Sequence, residues 1–174
     1  LCDAIKMFES SNARHELATT YSCVGIYYNM IKNYPKAMEY CFRAIELFNS
    51  LKNQEGLANS YSALGQIYQN SNDATQSEIM HNNALSIYVS LNSFSGMAIS
   101  HVKLGFLCCS SKDRYQECIN HFKEAVKIYS KLGIPYSMGK CLGLMGMLSY
   151  GLNKDDEAHQ YLADALQYLK SFNT

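Results

Sequence analysis

The run Tyr61-Ser62-Ala63-Leu64-Gly65 places apolar side chains at helical spacing and ends on a glycine in the middle of what reads as a packing face. The same setting returns at Tyr21-Ser22-Cys23-Val24-Gly25, at His101-Val102-Lys103-Leu104-Gly105 and at Leu142-Gly143-Leu144-Met145-Gly146. The four terminal glycines are spaced by 40, 40 and 41 residues. A glycine inside a helix costs roughly 1 kcal/mol relative to alanine. Four of them at one repeat position therefore require an offsetting gain, and the close approach of a neighbouring helix supplies it. A second series, Ala44, Ala84, Ala125 and Ala165, follows 19 or 20 residues behind. On this reading each alanine faces the glycine of its own unit, so that two small residues allow a helix pair to pack tightly. The one extra residue of the third interval falls around Lys112 to Tyr115, where a turn absorbs it.

Working outward, apolar residues step by three and four both before the glycine (Tyr21, Val24, Gly25, Tyr28) and after it (Ala37, Cys41, Ala44, Ile45, Phe48). Each unit is thus two amphipathic helices, separated by polar breaks such as Lys32-Asn33, Ser71-Asn72-Asp73 and Asn153-Lys154 that supply capping side chains. Pro35 suits a first helical turn, and Asp155, Asp156 and Glu157 suit the dipole of another. The predicted organisation is one all-α solenoid over 1–174, with repeats at 13–53, 54–93, 94–133 and 134–174. Residues 1–12 read as the second helix of a truncated repeat, because Ala4, Ile5 and Phe8 match Ala44, Ile45 and Phe48. The opening at Leu1 without a methionine reads as a piece of a longer chain.

Aromatic, Leu-Gly, aromatic on the first helix and alanines on the second, most completely Tyr61, Leu64, Gly65, Tyr68 and Ala84, resemble the tetratricopeptide repeat. Departures stand at Cys108 and Ser149, which replace Tyr68, and at Ser77 and Cys118, which replace Ala37. The forty-residue period is longer than the usual thirty-four or so, and is similar to that of kinesin light chain, spindle-orientation adaptors and bacterial peptide-sensing regulators. The resemblance implies a right-handed superhelix of antiparallel helix pairs, with the first helices lining a concave groove. Helical spacing from the glycine stripe then selects Ser22, Ile26 and Asn29 in the first full unit and Asn59, Ser62, Gln66, Gln69 and Asn70 in the second. Val102, Phe106 and Cys109 follow in the third and Met147 and Tyr150 in the fourth. The second unit offers amides to an extended peptide, and the last two offer an apolar patch to a hydrophobic side chain or an amphipathic helix.

Composition narrows the partner. The formal net charge is zero and no run of Lys or Arg exceeds two residues, so there is no footprint for a phosphate backbone. Lys140 is the one cation among the predicted groove positions, which disfavours an acidic tail as ligand. No apolar stretch approaches the roughly 20 residues of a membrane span, and no signal peptide opens the sequence. Seven cysteines, an odd number with no CxxC pair, fit a reducing, cytoplasmic compartment rather than a disulfide framework.

No enzyme is expected, since phosphate loops, nucleophile elbows and triads are missing from the sequence. No metal or cofactor is expected either. Cys118 and His121 lie three apart but make only two of the roughly four ligands of a structural zinc site, while Cys108 and Cys109 point apart on a helix. The expected function is a scaffold or adaptor binding a peptide or helix of another protein. The alternative is the regulatory, peptide-sensing part of a larger signalling protein or enzyme, and self-association through the terminal repeats is a third reading.

Overall fold

The computed structural model describes residues 13–109 and 112–170. The expected truncated helix at 1–12 lies outside them. Among the described residues there are eight α-helices and no strand: α1 Arg14–Met30, α2 Tyr34–Ser50, α3 Gln54–Asn70, α4 Ala74–Ser90, α5 Phe94–Cys108, α6 Tyr115–Leu132, α7 Pro135–Gly151 and α8 Asp155–Lys170. A single 3-10 turn, Lys112–Arg114, stands before α6, where the sequence places its one-residue insertion. The contacts divide the chain after Asn92 into two compact units. In the first, α1 pairs with α2, α3 with α4, and α3 packs on α2; in the second, α5 pairs with α6, α7 with α8, and α7 packs on α6.

The connections follow from a single turn used again and again. Lys32, Lys52, Asn72, Asn92, Gly133 and Asn153 all have φ between 53° and 67°, one left-handed residue just past a helix end. Around Lys32, the Lys32 N–H donates to Asn29 O and the Asn33 N–H to Tyr28 O, and the same pair of bonds recurs around Lys52, Asn72, Gly133 and Asn153. These bonds satisfy carbonyls that a helix end would otherwise leave without partners. In three of these turns the residue after the left-handed one caps the next helix with its side chain: Asn33 accepts from Lys36 N at 3.4 Å, Asn53 from Gly56 N at 2.8 Å and Asp73 from Gln76 N at 3.0 Å.

The repeating glycines sit at close contacts, although with partners other than those expected. A methyl group on Gly25 would lie 2.6 Å from Cys41 Sγ, one on Gly65 2.8 Å from the His81 ring, one on Gly105 3.0 Å from the Phe122 ring and one on Gly146 2.7 Å from Leu162 Cγ. Each glycine therefore receives a side chain from the residue three before the recurring alanine, and the expected Gly–Ala facing is corrected. The alanine series has its own small partners one helical stretch earlier. Gly139 approaches the Ala165 carbonyl so closely that a methyl there would lie 3.2 Å from it. Ala18, Ala58 and Ala98, all fully buried, hold Gly139's place in the other units. Backbone proximity at the glycines also explains two departures from the family pattern. Ser77 Oγ donates to Gly65 O at 2.8 Å and Cys118 Sγ to Gly105 O at 3.0 Å, so the polar atoms that replace Ala37's methyl find an acceptor on the opposing helix.

The core of the first unit is built from Leu17, Tyr21, Phe48 and Leu57 at one end and Cys41, Leu64 and Ile67 at the other. In the second unit Cys108, Ile119, Phe122, Leu142 and Met145 form one cluster. Tyr115, from the start of α6, fills the space left by the missing aromatic at Ser149, and its hydroxyl lies 2.9 Å from Ser149 Oγ while donating to Glu157 at 2.8 Å.

Glycine therefore has opposite meanings at different positions. Gly65→Ala, which drives a methyl into His81, is expected to lower stability by about 1–3 kcal/mol. Gly143→Ala, in α7 with no atom within 4 Å of the added carbon, is expected to raise it by about 0.5–1 kcal/mol. Lys52→Gly, which relieves a left-handed lysine, is expected to be neutral or stabilising. Urea midpoints of the three variants against the parent check the pattern.

Candidate functional site

The predicted groove positions lie on first helices except Cys109, which stands just past the end of α5, and the two units treat them differently. In the first unit the amides bond to one another. Asn70 Nδ2 donates to Asn29 Oδ1 at 3.0 Å, linking α3 to α1, and Gln66 Nε2 donates to both Asn70 Oδ1 and Gln69 Oε1, each at 3.0 Å. Four of the predicted residues thus form one continuous ladder. Asn59 stands apart from it, accepting from the Tyr88 hydroxyl at 2.6 Å. Ser22 Oγ lies 3.2 Å from Ser60 Oγ, a second link between α1 and α3. Ile26 is exposed, and Ser62 is half-buried. Ser22 and Asn59 also line a cleft of about 290 Å³ with His15, Phe48 and Asn53. There the Asn53 amide nitrogen lies 2.7 Å from His15 Nε2. Sequence reasoning missed His15, because a lone histidine early in a helix carries no periodic signal.

In the second unit Val102 is half-buried and packs against the core cluster, while the other predicted residues face outward. Phe106 is 42% exposed, Met147 60% and Tyr150 71%. Phe106 and Met147 hold equivalent places on α5 and α7, 41 residues apart. Phe106 is seated edge-on against the buried Phe122, with ring centroids 5.6 Å apart. Beside these residues lie two clefts. One of about 140 Å³ is lined by Val102, Phe106, Tyr129, Lys140 and Leu144. The other, of about 190 Å³, is lined by Cys109, Tyr115, Cys118, Met147 and Leu152.

At the α5–α6 end the structure brings together sulfur and imidazole groups that the sequence offered only as the separate pairs Cys118–His121 and Cys108–Cys109. Cys109 Sγ and Cys118 Sγ are 2.8 Å apart, and both donate to Gly105 O at 3.0 Å. Cys118, which can turn its one proton from the carbonyl onto the Cys109 sulfur, pulls the Cys109 thiol below its ordinary pKa, while the same contact and burial push Cys118 up. Cys108, Glu117 and His121 bring their ligand atoms within 4.8 Å of one another. Glu117 is held below the usual carboxylate range first by the Arg114 guanidinium, and it also accepts from the Cys108 thiol. His101 Nδ1 lies 3.1 Å from His121 Nδ1. Burial foremost, and then His121, lower the pKa of His101. No spacing rule pairs Cys108 with Glu117, because they meet only across a turn.

The thiols should separate sharply by reactivity. At neutral pH iodoacetamide is expected to label Cys109, which is exposed and has a stabilised thiolate, well before Cys41 or Cys141, whose pKa values burial raises to about 12 and about 11. Peptide mass spectrometry over a time course reads the order.

Comparison with known proteins agrees with this architecture. The model of the soluble NSF attachment protein family, SNAP, matches residues 2–171. No curated protein sequence matches the chain. Among solved structures it is similar to BtubC (BKLC) from P. vanneervenii, at 18% identity and a TM-score of 0.81, covering 92% of this chain and 66% of that one. It is similar to aspartyl phosphate phosphatase F from Bacillus subtilis, at 20% identity and a TM-score of 0.84, covering 92% and 42%. A signal-transduction ATPase with a tetratricopeptide-repeat sensor, from Pyrococcus horikoshii, matches at 15% identity and a TM-score of 0.80, covering 92% and 25%. The chain thus spans between a quarter and two thirds of these proteins. The fold is the tetratricopeptide-type helical repeat that the residue pattern implied.

Proposed function

We propose that this chain, which belongs to the soluble NSF attachment protein family, is a protein-interaction scaffold that holds a peptide or helix of a partner against the first helices of its second unit. The observation that carries the proposal is the row Phe106, Met147 and Tyr150, large apolar side chains left in solvent beside two clefts that can each take a side chain. Scattered exposed apolar residues are ordinary, but a set aligned on the inner helices of successive repeats is what an amphipathic guest requires. The amide ladder of the first unit suits an extended backbone, since Asn29 and Gln69 keep donor capacity beyond the bonds they make with each other's neighbours.

A protein guest accords better than nucleic acid with a net charge of zero. It also accords with cations such as Arg43, Lys127 and Lys154, each paired with a carboxylate three or four residues away in sequence. Among the described residues no helix is long and apolar enough to cross a membrane, and a cytoplasmic setting goes with cysteines that form no disulfide among those residues. No catalytic role is proposed. A second reading, a regulatory or sensor segment of a longer signalling protein, is favoured by the small share of the Pyrococcus horikoshii ATPase that the chain covers.

Phe106→Asp and Met147→Asp are expected to abolish capture of the partner while lowering the unfolding free energy by no more than about 1 kcal/mol, the scale of one aromatic edge contact. Partner pull-down and urea unfolding on the same preparations test this. A large loss of stability with Phe106→Asp would assign the side chain to the core and remove the main support for the proposal.

A further inference from the structure

We propose that Cys108, Glu117 and His121 form a zinc-binding site at the closed end of the α5–α6 pair. The three residues converge from two elements. Cys108 is the last residue of α5 and is 1% exposed, and Glu117 and His121 stand one turn apart on the same face of α6. Their ligand atoms all lie within 4.8 Å of one another, and His121 Nε2 is already 3.9 Å from Glu117 Oε1. Zinc bonds of about 2.0–2.3 Å in a tetrahedral array put ligand atoms about 3.3–3.8 Å apart. Closing the shell requires inward side-chain shifts on the order of 1 Å.

The surroundings prepare each ligand. His121 Nδ1 faces His101 Nδ1 at 3.1 Å, a contact that holds one proton. With that proton on His121, its Nδ1–H donates to His101 and the ligating lone pair is on Nε2, the nitrogen 3.9 Å from Glu117 Oε1. This is the outer-shell support that a metal-bound imidazole ordinarily has. Arg114 grips Glu117 with two hydrogen bonds, 2.8 Å from Nε and 2.7 Å from the terminal nitrogen, fixing the carboxylate while leaving each oxygen a further lone pair. One thiolate sulfur, one imidazole nitrogen and one carboxylate oxygen are a set that suits zinc and poorly suits magnesium or calcium. Binding releases the Cys108 thiol proton to solvent, and the fourth position is left to water or to a side chain of a partner.

The experiment is titration of the whole chain, reduced and metal-free, with zinc against a chromophoric chelator, alongside titration with cobalt(II) read by absorption. One equivalent of zinc is expected, and the cobalt form should show a thiolate-to-metal charge-transfer band that Cys108→Ser removes. His121→Gln should weaken zinc at least about a hundredfold, and His101→Phe, which removes only the outer-shell partner, about ten- to a hundredfold. Circular dichroism of each variant controls for folding. If Cys108→Ser does not fold, His121→Gln, at a partly exposed position, carries the decision. The proposal is overturned if zinc binds His121→Gln as tightly as the parent. It is equally overturned if the cobalt band survives Cys108→Ser and disappears in Cys109→Ser, which would place the metal on the Cys109–Cys118 pair.

Discussion

Four contacts in which one helix presents bare backbone to a side chain of the next govern the rest of the molecule. At Gly25, Gly65, Gly105 and Gly146 the missing methyl is replaced by the body of Cys41, His81, Phe122 and Leu162. The receiving side must be glycine, because an added carbon would fall within 3.0 Å of its neighbour in every case. The inserting side is free to vary, since any side chain that fills the space serves. This asymmetry explains why the glycine repeats without exception while its partner is in turn a thiol, an imidazole, a phenyl and an isobutyl group. It also fixes how deep the helices of each pair sit against one another, and hence which residues of the first helix are left facing outward.

The amount of this that could be read from sequence follows the same division. Helix count, pairing and period were legible because a helical glycine is costly enough to be informative wherever it recurs. The partner of each glycine was not, because spacing identifies residues that share a face and is silent on what that face meets. The buried row Ala18, Ala58 and Ala98 went unnoticed because its fourth member is Gly139 and because alanine is common. The left-handed turns were hidden for another reason. Lysine at 32 and 52 has no preference for φ near 60°, so only the bonding around each helix end reveals that both occupy the same turn as Gly133. Of the positions predicted from helical spacing, Cys109 falls just past its helix and Val102 packs on the core, while the others sit on first helices. Their internal hydrogen bonding, however, depends on side chains from two helices at once, as in Asn29 with Asn70.

The two units spend these outward positions differently. In the first, amides satisfy one another across α1 and α3, a surface that keeps its shape without a guest and presents donors already oriented. Such preorganisation lowers the ordering cost of binding. In the second, Phe106 rests on Phe122 and Met147 and Tyr150 project into water. Burying such side chains gives back about 25 cal/mol for each Å² of apolar surface removed. A face of the first kind contributes direction and register to a complex, and one of the second kind contributes affinity.

The chemistry at the end of α5 can be traced to the single irregularity of the repeat. The extra residue of the third interval shortens α5 to 15 residues, against 17 in each of α1 to α4, and the approach to α6 is made through a 3-10 turn. Where the other pairs close on a three-residue link with one left-handed residue, this pair closes on Cys108 and Cys109 at one side and on Arg114, Glu117 and Cys118 at the other. The regular turn satisfies its carbonyls with backbone N–H groups, and the Gly105 carbonyl accepts from two thiols. The insertion thus gathers soft and acidic ligands at this helix junction of the second unit. The repeat supplies the scaffold, and its one defect supplies the reactive groups.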